Sequence, residues 1–169
     1  MTRHRTHRRA AAVLACSALA LTGCVSLPQE AAPTNNRACD LLRPIARDLG
    51  LGQPAVSTLD ERERCTAGSR ESDNRKYVTF TVTLDERPLA ESVSGRGKRS
   101  DLNLAGHDAV MLLGDINSGE CQVFLDAGDG SSVVLRLVRN NAMTQQTCAE
   151  LEPIAEGVAA DFGTKSENG

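Results

Sequence analysis

Four widely spaced cysteines, Cys39, Cys65, Cys121 and Cys148, restrict the folds open to this chain more than any other feature. They are even in number and contain no close pair of the C-x-x-C kind, so two disulfides are expected rather than a four-thiolate zinc site. Four cysteines allow three pairings. The preferred one joins neighbours in sequence, Cys39–Cys65 and Cys121–Cys148, each closing a loop of about 26 residues worth ~3 kcal/mol in the chain-entropy model. Such staples matter in a chain with one Tyr, three Phe and no Trp to fill a core. They also require an oxidising compartment.

The N-terminus supplies that compartment. Arg3, Arg5, Arg8 and Arg9 stand unbalanced by any acid, and the apolar run Ala10 to Leu21 follows. A basic end followed by a short apolar run is an export-signal pattern. The run is shorter than the ~20 apolar residues of a membrane-spanning helix. Arg8-Arg9 lacks the flanking residues of a twin-arginine signal, which favours ordinary secretion. The segment ends Leu21-Thr22-Gly23-Cys24, which resembles the lipobox of bacterial lipoproteins. That resemblance implies a thioether-linked diacylglycerol on Cys24 and cleavage before it. Two acyl chains suffice for stable anchoring at ~0.8 kcal/mol per buried methylene. The expected organisation is a leader (1–23), a lipidated cysteine with a Pro-containing flexible tether (24–36), one domain (37–163) and a disordered tail (164–169). The expected location is the outer side of the cell membrane, with the membrane reached through the lipid.

Loss of the leader removes four of the 19 basic residues and none of the 22 acidic ones, leaving 15 against 22, a net charge of −7. An acidic domain is repelled by polyanions, so nucleic acid is excluded as a partner.

Along the domain, Asp40 to Gly50 reads as a helix, with Leu42, Ile45 and Leu49 on one face and Gly50 as its stop. Ala55 to Thr66 reads as a strand, Gly68 to Arg75 as a polar turn, and Lys76 to Leu84 as the clearest strand. In the latter, Val78, Phe80, Val82 and Leu84 point to the core, and Tyr77, Thr79, Thr81 and Thr83 point the other way. Arg87 to Asp101 reads as a loop with a short helix at Leu89 to Val93. An apolar run then lies within Leu102 to Leu113, after a turn at Gly106-His107. Glu120 to Asp126 and Ser131 to Arg139 form a hairpin through Ala127-Gly128-Asp129-Gly130, with Cys121 facing inward. Ala142 to Phe162 is a helix with a stripe of Cys148, Leu151, Ala155, Val158 and Phe162. The expected class is α+β, an antiparallel sheet with an N-terminal and a C-terminal helix on one face. The two helices share an internal echo. CDLLRPIA from Cys39 and CAELEPIA from Cys148 place Cys, Leu, Pro, Ile and Ala at the same offsets.

In order, the lipobox, the tether, the Cys-led helix CDLLRPIARDLGL, the strand cysteine, the Cys-strand hairpin and the Cys-containing C-terminal helix resemble small secreted actinobacterial lipoproteins grouped as a domain of unknown function. Members often carry an aromatic after the second structural cysteine, where this chain has Thr66-Ala67-Gly68. The resemblance implies an address and an architecture, and no reaction.

Catalytic signals are sparse. His107 is the one histidine after the leader, and its Gly106 and Asp108 neighbours read as an exposed turn. No G-x-S-x-G motif, phosphate loop or calcium-loop spacing is present; Asp126 and Asp129 in D-A-G-D-G fit a hairpin turn better than a cation. No cofactor, metal site or catalytic residue is expected. The function expected is a non-enzymatic binding module for an envelope protein or a small apolar ligand. Its candidate surface is Tyr77, Thr79, Thr81 and Thr83, or the groove between sheet and helices. Arg96, Lys98 and Arg99 form a candidate basic contact in a Gly-rich loop. An accessory or regulatory subunit of a membrane complex or sensor is the alternative, and a hydrolase-type enzyme the remote one.

Overall fold

Period-two alternation, strongest in YVTFTVTL, builds one antiparallel sheet. The computed structural model describes residues 36–57, 62–70, 77–140 and 142–166; the leader, Cys24 and most of the tether lie outside them. The strands are β1 (Ala55–Val56), β2 (Glu63–Arg70), β3 (Tyr77–Asp85), β4 (Lys98–Leu104), β5 (His107–Leu113), β6 (Glu120–Asp126) and β7 (Ser132–Arg139). They pair in the order β1-β2-β3-β7-β6-β5-β4, each pair antiparallel. Helices α1 (Arg37–Asp48) and α3 (Thr144–Ser166) pack on one face, and a single turn, α2 (Leu89–Ser92), lies in the crossover from β3 to β4. The fold is α+β, with helices at both ends and two disulfides.

Register explains the core. Cys65, Val82, Leu135, Val123 and Met111 lie directly opposite one another across five strands, on the helix face. Phe80, Leu125, Leu137, Leu42 and Leu151 complete a core from which water is fully excluded. Each such Leu contributes roughly 1.5–3 kcal/mol by leaving water.

The disulfides are Cys39–Cys65 and Cys121–Cys148, the pairing of sequence neighbours. Each staples one helix to one strand, α1 to β2 and α3 to β6. The internal echo is used the same way twice, since Leu42 and Leu151 are both fully buried, as are Ala46 and Ala155.

On the opposite face, Val110, Leu112 and Phe124 form a small cluster capped by Leu89, Val93 and Val134. Ser132 Oγ donates to Ser92 Oγ at 2.6 Å and pins α2 to β7.

Several element limits differ from the sequence reading, each for a local reason. Helix α1 starts earlier because Asn36 caps it, its side chain accepting from the Cys39 N–H at 2.9 Å. Gly50, at φ +64, ends it as read. The Leu51 N–H reaches Ala46 O and the Gly50 N–H reaches Arg47 O, a Schellman closure. The Ala55 to Thr66 segment is not one strand: Ala55 pairs with Thr66, so the chain turns back on itself between them. Gly68 to Arg70 belong to β2 rather than to a turn, and the remainder of that turn lies outside the described residues. Lys98 to Asp101 are not loop but the start of edge strand β4. Its charged, polar sequence hides the alternation because an edge strand is mostly solvated. The β4–β5 turn is Ala105-Gly106, with Leu104 paired to His107, so His107 opens β5 rather than sitting in the turn. Helix α3 continues to Ser166, into the tail expected to be disordered.

Candidate functional site

Among the described residues, a hollow lies on each side of the sheet. The larger, of about 830 Å³, lies between α1 and α3 on the core side. Pro44, Ile45 and Leu49 form one wall, and Pro153, Ile154 and Val158 the other. Pro-Ile occurs at the same offset from the stapled cysteine in both helices, so the echo places matching side chains on facing walls. Leu41 and Phe162 extend the apolar lining, and the β6–β7 turn with His107 closes one end. A volume of this size suits a ligand of drug-like dimensions. The walls are held by covalent staples rather than by packing alone.

The rim is acidic. Asp40, Asp48, Asp129 and Asp161 line the groove beside Arg37 and His107. Asp40 pairs with Arg43 at 3.2 Å and Asp48 with Arg47 at 3.1 Å, both on exposed helix surface where pairs are weak. Asp129 accepts from the hydroxyl and N–H of Ser131. Those bonds, helped by the nearby Arg37 charge, hold its carboxyl below the usual range. Asp126 accepts from the Gly128 N–H at 2.9 Å. The D-A-G-D-G carboxylates thus brace their own turn, as expected of a hairpin. Among the described residues no group of three potential metal ligands converges.

His107 is half-buried, not exposed, because it lies on a paired strand. Its Nδ1 lies 3.1 Å from the Asp126 carbonyl oxygen, which ties the ring to the neighbouring strand. Its place at the groove end was not legible from the sequence; the signal was the strand that follows it.

The smaller hollow, about 360 Å³, lies on the opposite face. Thr79, Thr81 and Thr83 line it, so three of the four candidate surface residues come together. Thr81 and Thr83 are buried rather than displayed, and the Thr81 hydroxyl lies 3.2 Å from that of Thr66. Tyr77 is not among the lining residues: it stands at the strand end, 45% exposed, its N–H donating to Asn140 Oδ1. Arg96, Lys98 and Arg99 line neither hollow; all are exposed, and Arg99 is tied to Asp101 at 2.9 Å.

Comparison with known proteins adds no relative. No protein-family model, curated protein or solved structure matches this chain. The site is therefore read from its own chemistry. Cys39, Cys65, Cys121 and Cys148 are oxidised, which removes them as nucleophiles. The side chains that converge on the larger groove are predominantly apolar.

Proposed function

We propose that this chain is a lipid-anchored lipoprotein of the cell envelope, non-enzymatic, that binds a small apolar ligand in the groove between α1 and α3. The observation carrying the reading is the 830 Å³ groove whose two helical walls are each locked to the sheet by a disulfide. Two disulfides support an oxidising compartment, and the Cys24 lipobox supplies the anchor. The four aspartates of the rim are largely offset by Arg37, Arg43 and Arg47, which favours an uncharged ligand.

Gly157 gives the test. It lines the groove on α3, and a Cβ built there meets nothing within 4 Å. Gly157→Ala adds about 1 kcal/mol of helix propensity and leaves the groove open, whereas Gly157→Trp projects an indole into it. In a fluorescence titration with the neutral dye N-phenyl-1-naphthylamine, wild type and Gly157→Ala bind alike and Gly157→Trp does not. Equal binding by all three rejects the groove as the site. Anchoring is tested separately: Cys24→Ala is shed into the medium, and its retention in membranes would contradict the lipid attachment.

A further inference from the structure

The hollow on the other face of the sheet differs from the groove in its charge. Every charged side chain lining it among the described residues is an arginine: Arg62, Arg64 and Arg136. In a domain with net negative charge this concentration of cations is local and directed. Strand register brings it about. Thr66, Thr81, Arg136 and Gln122 lie opposite one another across β2, β3, β7 and β6, and Arg64, Thr83, Val134 and Phe124 form the next row. Both rows face away from the core.

The guanidinium groups are oriented before any ligand arrives. Arg64 Nε donates to Thr83 Oγ1 at 3.2 Å, and Arg136 Nε to Glu120 Oε1 at 2.8 Å, an oxygen that also accepts from Gln122 Nε2. Arg62 Nη1 lies 3.3 Å from Asp85, a carboxylate already held by Arg87 at 2.7 Å. Anchoring is through Nε, and among the described residues the terminal nitrogens of Arg64 and Arg136 meet no further acceptor, which presents the fork geometry that matches an oxyanion. The Thr66 and Thr81 hydroxyls lie 3.2 Å apart, so one donates to the other and the accepting hydroxyl keeps its own proton for a ligand. Phe124 and Val134 form an apolar end to the same hollow.

We propose that this hollow is a second binding site, for a phosphate-bearing molecule whose oxyanion is held by Arg62, Arg64 and Arg136 over the threonine rows. A hollow of 360 Å³ suits a small phosphorylated compound or a phosphorylated headgroup with its carbon portion against Val134. The site lies across the sheet from the helix groove and does not depend on it.

The test uses the full chain carrying Cys24→Ala, exported so that its disulfides form, which keeps an anchor from holding it to vesicles. Inorganic phosphate and glycerol 3-phosphate are titrated by calorimetry, and phosphatidylcholine vesicles with and without phosphatidic acid by flotation. The expected result is phosphate-dependent binding that weakens at least tenfold in Arg64→Gln/Arg136→Gln and is unchanged in Arg43→Gln, on the far face. Binding of inorganic phosphate or glycerol 3-phosphate assigns the ligand to a free metabolite, and binding confined to phosphatidic acid vesicles assigns it to a lipid headgroup. No binding of any phosphate probe, or binding that survives the double substitution, overturns the proposal. Should the double variant not fold, nitrogen NMR of the unsubstituted arginines decides. The Nε–Hε resonances of Arg64 and Arg136 must move on phosphate addition, and resonances that stay fixed overturn the site.

Discussion

Removing the Cys39–Cys65 bridge should detach one wall of the groove while the sheet stays folded. Helix α1 has 12 residues, too few to be stable alone in water. Its fully buried apolar side chains besides Cys39 are Ala38, Leu42 and Ala46. One Leu and two Ala methyl groups contribute about 3–5 kcal/mol at usual transfer values. The bridge spans 26 residues, which corresponds to about 3.5 kcal/mol in the chain-entropy model. It therefore supplies a share of the hold on α1 comparable to that of packing. In Cys39→Ala/Cys65→Ala, calorimetry should show a Tm lower by about 13 °C if the whole domain unfolds together, taking about 130 residues at ~2.1 cal/mol/K each. Hydrogen exchange should show α1 amides opening at about 3.5 kcal/mol less than in wild type, with β3, β6 and β7 the last to exchange. Dye binding in the groove should be lost with them. A Tm drop below about 3 °C, with α1 amides as protected as those of β7, would refute the assignment to the bridge of a share in holding that wall comparable to that of packing.

Other consequences follow from single contacts. Leu151→Ala removes a fully buried side chain beneath α3 and should cost about 2–5 kcal/mol in denaturant unfolding. Ala105 holds φ +49 in the β4–β5 turn, a conformation that Asn tolerates better; Ala105→Asn should stabilise the domain by about 0.5–1 kcal/mol in the same assay. The Arg87 side-chain bond, with its N–H and the charge of Arg62, holds the buried Asp85 carboxyl below its ordinary value. A lowered folded-state pKa adds stability above the unfolded value and loses it as pH falls through the folded one. Acid unfolding below about pH 4 should therefore be steeper in wild type than in Asp85→Asn. Gly119 sits at φ +60 with an added Cβ running into the Arg139 carbonyl oxygen, so Gly119→Ala should lower the Tm markedly.

The inward faces of β3 and β6, the presence of two disulfides and the Gly50 helix stop were legible because each rests on a simple signal: period-two alternation, an even cysteine count, a glycine after an apolar stripe. Edge strand β4 was not, since Lys98, Arg99 and Asp101 look like loop when the solvated face supplies no apolar alternation. The Pro-Ile echo was visible as a string, but that its two copies face one another depends on the sheet order, in which β2 and β6 flank β3 and β7. The threonine surface was found from parity alone. Its arginines were not, because Arg62 and Arg64 read as an alternating charged stretch and Arg136 as one charge in an apolar strand. Only pairing across β2, β3 and β7 brings them together.

Methyl NMR of the full chain with N-phenyl-1-naphthylamine tests the helix groove most directly. The shifts should gather at Ile45, Leu49, Ile154 and Val158, leave Val134 on the far face unmoved, and disappear in Gly157→Trp. Shifts confined to the far face, or none at saturating dye, would contradict an apolar ligand between the two stapled helices.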